Sequence, residues 1–190
     1  AEGDEFVING VKHFISHADE ATFTILFAAT GEEDTPRGKK KLITAFLVDK
    51  GTKGFTVRDG YKNVSHRGYN NCILEFNDCR LHKSQILGEL HKGFEVANEW
   101  LGATRLQVAS TCLGRAERAM EHAKQYAVDR YQFGQQIGKF QGVSFKLADM
   151  AMELKAAELL TLEAAWKFDQ KTVTDMDMAM AKLKATEVLA

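Results

Sequence analysis

The residues best equipped for chemistry fall in two short segments. One is DRYQFGQQIGKFQ, from Asp129 to Gln141. It sets Arg130 and Gln132 at the exit of a predicted helix, followed by Phe133, a glycine-flanked turn and Gln141 at the start of the next helix. An arginine can pair bidentately with a phosphate, a glutamine can bond a second polar edge, and an aromatic ring can cover a flat heterocycle. The same residues also have a purely structural use, with Arg130 complementing a helix C-terminus and Phe133 packing in a core. The other segment is KHFISHAD, where Phe14, Ile15 and Ser16 end a predicted strand with an aromatic ring, a backbone able to pair with a flat ring system, and a hydroxyl. Its structural alternative is an ordinary strand end with a buried phenylalanine.

Other chemistries find no footing. There is no Gly-x-Gly-x-x-Gly after a strand, no P-loop, no Gly-x-Ser-x-Gly and no His-Glu-x-x-His, which argues against a Rossmann dehydrogenase or a hydrolase. Among the six histidines only His13 and His17 are four apart, and they lie on a predicted strand or its exit, where that spacing does not converge on a metal. No metal site is expected. Cys72, Cys79 and Cys112 are odd in number and lack CxxC spacing, so they read as reduced thiols, neither a disulfide framework nor a zinc site.

Two kinds of element must position these segments. From Glu5 to about Asp78 the pattern is that of strands: EFVI and VKHFIS around Asn9-Gly10 give a hairpin signal, because Asn-Gly tolerates the positive φ angles of a two-residue primed turn. TFTILFAA alternates Phe23, Ile25 and Phe27 against Thr22 and Thr24, as a half-buried strand does, and LITAFLVD, GFTVRD and NCILEFND continue the series. GEEDTPRGKKK, with the single proline Pro36, reads as a solvated hairpin tip or an anion-binding loop.

Beyond Gly88 the period lengthens from two to about 3.6 residues. Phe94, Ala97, Leu101, Val108, Cys112, Ala116 and Ala127 lie on one apolar stripe of a helix from about Phe94 to Arg130. A second stripe runs from Val143 to Phe168. A third follows an N-cap at Thr174 or Asp175 and passes through Met178, Ala181 and Ala185. Small residues on these stripes allow close helix packing. Strands followed by helices indicate an α+β fold, an antiparallel β-barrel-like domain at 1–88 and an incomplete up-down α-helical bundle at 89–190.

The chain has 190 residues and 45% hydrophobic content, enough for a substantial core. Lys and Arg number 25 against 26 Asp and Glu, a formal charge of -1, so composition implies no general attraction to nucleic acid or to an anionic membrane. No apolar run approaches the roughly 20 residues that span a bilayer, and the start AEGDEF is acidic where a signal peptide is basic. The expectation is a soluble intracellular protein. Both ends read as truncations, since there is no initiator methionine and AKLKATEVLA stops inside a helical pattern.

In order and separation these segments resemble the signature regions of the FAD-dependent acyl-CoA dehydrogenase family. Phe14-Ile15-Ser16 resembles that family's Trp-Ile-Thr or Trp-Ile-Ser element, and HRGYNNCILEFNDCRLHKSQILGELHKGF, from His66 to Phe94, resembles the passage into its first long helix. RYQFGQQIGKFQ is the nearest match, followed by FKLADM at 145–150 and AMAKLKATE at 179–187. The resemblance covers essentially the whole chain.

It implies that Phe14, Ile15 and Ser16 contact the isoalloxazine ring of FAD, and that Arg130, Gln132, Phe133 and Gln141 contact the pyrophosphate and adenosine part of FAD held by a neighbouring subunit. The implied assembly is a homodimer or homotetramer. The implied reaction is α,β-dehydrogenation of an acyl-CoA thioester to trans-2-enoyl-CoA, with electrons passed to an electron-transfer flavoprotein, in a bacterial cytoplasm or a mitochondrial matrix. Some subfamilies place the catalytic glutamate one residue before an arginine in the first bundle helix. Here Thr104 precedes Arg105, and threonine cannot serve as that base. The resemblance therefore implies a base beyond Ala190, with Thr104 and Arg105 lining the substrate side, unless Arg105 serves only a structural salt bridge. The piece alone is expected to be inactive. Phe14 stands where the family usually has Trp, and Leu81-His82 where Val-Pro is common. The same fold also serves flavin monooxygenases and oxidases, or a non-catalytic scaffold.

Overall fold

The computed structural model describes residues 3–64, 67, 68 and 70–190; the His66 that opens the second family-like stretch lies outside the described residues, as does Tyr69. The chain divides into two compact units, one reaching Asn98 and one starting at Glu99.

The first unit holds β1 (Glu5–Ser16), β2 (Phe23–Thr35), β3 (Gly38–Asp49), β4 (Phe55–Tyr61), β5 (Asn71–His82) and the short β6 (Ile86–Leu87). They form two antiparallel sheets, in the orders β1-β5-β4 and β2-β3-β6. The core between them gathers Leu26, Phe46, Val48, Cys72, Leu74, Phe76 and Leu81. β5 is the central strand of its sheet, and its run Asn71-Cys72-Ile73-Leu74 is buried throughout, as a strand covered on both faces must be. Gly93 opens the first long helix against β3, where an added Cβ would stand 2.7 Å from the Ala45 nitrogen.

Two sequence expectations are corrected in this unit. Asn9-Gly10 is not a hairpin turn: β1 runs through it and pairs with β5 along its length. The pair sits at a bulge, where Asn77 and Asp78 of β5 oppose Asn9. Its amide donates to Asp78 Oδ1 at 3.1 Å and accepts from the Asp78 N–H at 2.8 Å. Bulge and primed turn call on the same tolerance of unusual φ, so the dipeptide alone does not separate them. On β2 the alternation is right and the face is reversed. Leu26 is 2% exposed, whereas Phe23 and Ile25 are 52% and 42% exposed. GEEDTPRGKKK is a hairpin tip, with Thr35 paired to Gly38 around Pro36-Arg37 and the lysines matched to acids across the strands, Lys40 to Glu33 at 2.8 Å.

The second unit holds most of α1 (Gly93–Asp129), a ribbon of β7 (Tyr131–Gln132) and β8 (Gln135–Gln136), then α2 (Gln141–Asp169) and α3 (Asp175–Leu189). Ala109 and Cys112 of α1, Ala157 and Ala164 of α2, and Ala181 and Ala185 of α3 close one core. Such small side chains let helix axes approach closely. Gly102 serves the same end, since an added Cβ would lie 2.8 Å from the Met178 methyl carbon. Thr174 caps α3 in a reciprocal box: it accepts from the Asp177 N–H at 3.2 Å, and Asp177 accepts from the Thr174 N–H at 2.9 Å. The predicted third stripe is fully buried at Met178, Ala181 and Ala185. Phe94, placed at the head of the first stripe, is instead 65% exposed. The predicted order of antiparallel sheets followed by a helical bundle is the observed one. Among the described residues no helix is long and apolar enough to cross a membrane.

Candidate cofactor and substrate site

β1 delivers Phe14 through a bulge. Its register passes from Lys12 opposite Leu74 to Ile15 opposite Cys72, so His13 and Phe14 together face Ile73. Phe14 has φ +56°, a left-handed value that a bulky residue rarely adopts, and its ring is mostly exposed. It stacks on Tyr61 with ring centroids 4.3 Å apart and planes 18° from parallel. The buried phenylalanine of the structural alternative is therefore not what forms. Ile15 packs on the sheet core, and Ser16 pairs with Asn71 at the strand end.

The turn after Ser16 is tied back to β5. The His17 N–H donates to the Asn70 carbonyl at 2.9 Å, Asn70 Nδ2 donates to Asp19 at 2.7 Å, and the buried Cys72 thiol points to the same carboxylate at 3.6 Å. The Asn70 amide holds the Asp19 carboxyl below its ordinary range, and burial pushes the Cys72 thiol up.

The second predicted segment is a turn of another kind. Arg130 follows the last residue of α1, and its backbone closes both neighbours: its N–H donates to the Tyr126 carbonyl at 2.9 Å, and its carbonyl accepts from Ile137 at 2.9 Å. Gln132 lies on β7 and Gln141 opens α2, both exposed. Between the strands, Phe133 and Gly134 have φ +50° and +80°, the two positive angles of a primed two-residue turn. Phe133 is 93% exposed, so it does not pack in the core; it meets Phe140 edge-on at 6.2 Å. The structure thus brings Arg130, Gln132, Phe133 and Gln141 together on one small ribbon and its exit.

Thr104 and Arg105 lie on α1. The Thr104 hydroxyl donates to the Trp100 carbonyl one turn back at 2.9 Å, and Arg105 pairs with Asp175 at 3.1 Å. The salt bridge weighed from the sequence is present. His82, standing where the family commonly has proline, caps the turn Lys83–Gln85 by accepting from the Ser84 N–H at 3.2 Å.

Comparison with known proteins decides the family. The description "Acyl-CoA dehydrogenase, middle domain" matches residues 1–79, and "Acyl-CoA dehydrogenase, C-terminal domain" matches residues 91–190. The chain belongs to the acyl-CoA dehydrogenase family. The human mitochondrial short-chain specific acyl-CoA dehydrogenase is 42% identical over 187 residues, which are 98% of this chain and 44% of that protein. The solved butyryl-CoA dehydrogenase of Megasphaera elsdenii superimposes with a TM-score of 0.84 at 38% identity, over 97% of this chain and 47% of that one. A chain from structural work on the electron transferring flavoprotein of Acidaminococcus fermentans gives a TM-score of 0.84 at 36% identity, over 99% and 48%. The chain therefore spans about half the length of the relatives it matches.

The residues that sequence reasoning missed are Tyr61, its neighbour Gly60, and the Asp19–Asn70 pair. Gly60 was the available signal, because a glycine inside a strand pattern marks a bulge or a close backbone approach.

Proposed function

We propose that this chain supplies the flavin-contacting β and helical parts of an FAD-dependent acyl-CoA dehydrogenase, divided near 88/89 into a middle and a C-terminal domain. One observation carries the reading. The two family-like segments each hold a phenylalanine outward on left-handed backbone, Phe14 and Phe133, a placement that wastes apolar surface unless a flat partner covers it. The donors around them fit FAD: the Ser16 hydroxyl near the ring, and the guanidinium of Arg130 with the amides of Gln132 and Gln141 for the pyrophosphate and adenosine end.

When bound, FAD supplies a hydride acceptor at N5 for the β-hydrogen of an acyl-CoA thioester. This chain's own residues bind and orient. Phe14 walls the ring, the backbone at Ile15 lies along it while the Ile15 side chain packs inward, and Ser16 donates at its edge. Thr104 and Arg105 border the substrate side, although Arg105 must then share its guanidinium with Asp175. The base that takes the α-proton is a glutamate from the part of the relatives' length that this chain does not cover. The product is a trans-2-enoyl-CoA, and the electrons leave to an electron-transfer flavoprotein, a partner favoured by the likeness to the Acidaminococcus chain.

Sharing FAD between subunits calls for a homodimer or homotetramer. An exposed apolar stripe on α2 supports assembly: Phe145, Met152, Leu159, Leu162 and Trp166 are each at least 55% exposed on the side away from buried Ala157 and Ala164. An apolar groove of about 580 Å3, bordered by Met120, Met150, Leu154 and Val188, fits a further helix of the bundle. A bacterial cytoplasm or a mitochondrial matrix suits the reduced thiols.

The test is an absorbance scan of the full-length protein before and after acyl-CoAs of graded chain length, without oxygen. Bleaching of a bound flavin band is expected, and its chain-length dependence names the substrate class. A flavin band that no acyl-CoA bleaches overturns the reading in favour of an oxidase or monooxygenase, and the lack of any flavin band overturns the cofactor assignment.

A further inference from the structure

Two bulges flank the same stretch of β5. On β1, His13 and Phe14 face the single residue Ile73; on β4, Asp59 and Gly60 face the single residue Cys72, where the register passes from Arg58 opposite Ile73 to Tyr61 opposite Asn71. β5 lies between β1 and β4, so Phe14 and Tyr61 belong to strands that are not neighbours. Each bulge turns its strand end, and the two rings meet across β5, stacked at 4.3 Å and 18°. His13 Nδ1 and the Tyr61 hydroxyl share a hydrogen bond of 2.9 Å, so the β1 bulge holds Tyr61 by a ring face, through Phe14, and by its hydroxyl, through His13. The β4 bulge is possible only because residue 60 is glycine: an added Cβ would stand 1.7 Å from the Asn71 carbonyl oxygen.

This arrangement is more than a packed strand end. Tyr61 is 40% exposed and Phe14 61%, so the pair stacks at the surface with little core to drive it. An outward aromatic pair, built by two bulges and a left-handed phenylalanine, is a preformed wall. From this geometry we infer that Tyr61, held by His13, is a positioning residue for the flavin ring: it fixes the plane of Phe14, which in turn meets the cofactor. A phenylalanine has no indole N–H with which to anchor itself, and Tyr61 provides the anchor that the smaller ring lacks. The inference rests on the proposed flavin site.

The experiment uses the full-length protein loaded with FAD and compares Tyr61→Leu, Tyr61→Phe and Phe14→Leu. FAD affinity is measured by titration of the stripped protein, the visible circular dichroism of the bound flavin reports ring orientation, and a melt of the FAD-free protein controls for folding. Loss of the stacked ring in Tyr61→Leu is expected to weaken FAD by up to about tenfold. The same variant should change the flavin dichroism in the manner of Phe14→Leu, and Tyr61→Phe, which keeps the stacked ring but loses the His13 bond, should recover most of both. If Tyr61→Leu retains parental dichroism and affinity while Phe14→Leu alters them, Tyr61 does not position the flavin and the inference falls alone. If Phe14→Leu also leaves both unchanged, the flavin is not at this wall, and the site reading falls with it. A lowered melt in Tyr61→Leu with unaltered flavin dichroism would mark a merely structural role and likewise overturn the inference.

Discussion

Phe14 and Phe133 share a backbone conformation and almost nothing else. Both have left-handed φ, +56° and +50°. In the β unit, Phe14 is one layer of a braced assembly: a bulge on either side of β5, a stacked tyrosine, a histidine bond, and a following turn tied down through Asn70 and Asp19. In the helical unit, Phe133 projects from a ribbon whose strands have two residues each, 93% exposed and edge-on to Phe140. A ring that must keep one plane benefits from bracing, whereas a ring that closes on a partner's ligand can wait on a simple turn. The difference matches the roles proposed for them, one orienting the reactive ring and one gripping the far end of the same kind of cofactor.

The sharpest way to break the contrast is through one glycine in each assembly, Gly60 in the β4 bulge behind Tyr61 and Gly134 in the turn beside Phe133. Gly60 sits where a Cβ would be 1.7 Å from a β5 carbonyl oxygen, while nothing lies within 4 Å of a Cβ on Gly134. Gly60→Ala must push β4 off β5, and overpacking of that kind costs about 3 kcal/mol. Gly134→Ala meets no neighbour, so its cost is only the left-handed φ of +80°, about 1 kcal/mol. Chemical denaturation of the two variants should rank them in that order. Equal losses would mean that the β wall is no more braced than the ribbon turn.

A second contrast lies in two carboxylates. Asp19 is held below its ordinary value chiefly by the Asn70 amide, and Asp177 is lowered to about 2 chiefly by Lys167, 2.8 Å away, with help from Thr174. For a carboxylate lowered on folding, the stabilising charge is fully present above the unfolded value of 3.8 and is lost as pH falls through the folded one. Acidification from pH 4 towards pH 2 should therefore weaken the α3 cap progressively, and Asp177→Asn should flatten that part of the stability curve while leaving the β unit's response unchanged. Melts followed across that range by helix signal check it; a parallel slope in the variant would show that Asp177 is not the group that titrates.

How far the sequence reaches can be judged at particular residues. The change from strands to helices near Gly88 was legible because the apolar period itself changes, and Thr174 was legible, beside Asp175, as an N-cap because capping chemistry is local; the structure decides for Thr174 and adds Asp177 as its reciprocal partner. Leu26 against Phe23 and Ile25 was not: alternation assigns residues to two faces without saying which one meets the core, and here Phe23 and Ile25 face out. Asn9-Gly10 misled because the same φ tolerance serves a bulge as well as a turn. At the site, the composition of both segments was readable, including the aromatics and their donors. Tyr61 was not, because its meeting with Phe14, 47 residues away in the chain, depends on register slips on two strands, and no local pattern encodes the distance between non-adjacent strands.

The smallest predicted effect has the opposite sign. Phe133 occupies the first position of a primed turn, where asparagine is favoured because its short amide side chain tolerates left-handed φ. The ring is 93% exposed, so its removal forfeits little beyond the edge contact with Phe140. Phe133→Asn should therefore stabilise the protein, by about 0.5 kcal/mol, as relief of backbone strain commonly does. If the ring grips FAD across a subunit boundary, the same change should loosen cofactor binding, so stability and affinity should move in opposite directions. The corresponding exchange at Phe14 should lower both, because there the phenylalanine is stacked as well as strained. Urea melts of the FAD-free proteins beside FAD titrations separate the two cases. A destabilised Phe133→Asn would mean that the ring is held by contacts the turn alone does not supply, and the division between a braced wall and a simple turn would then have to be given up.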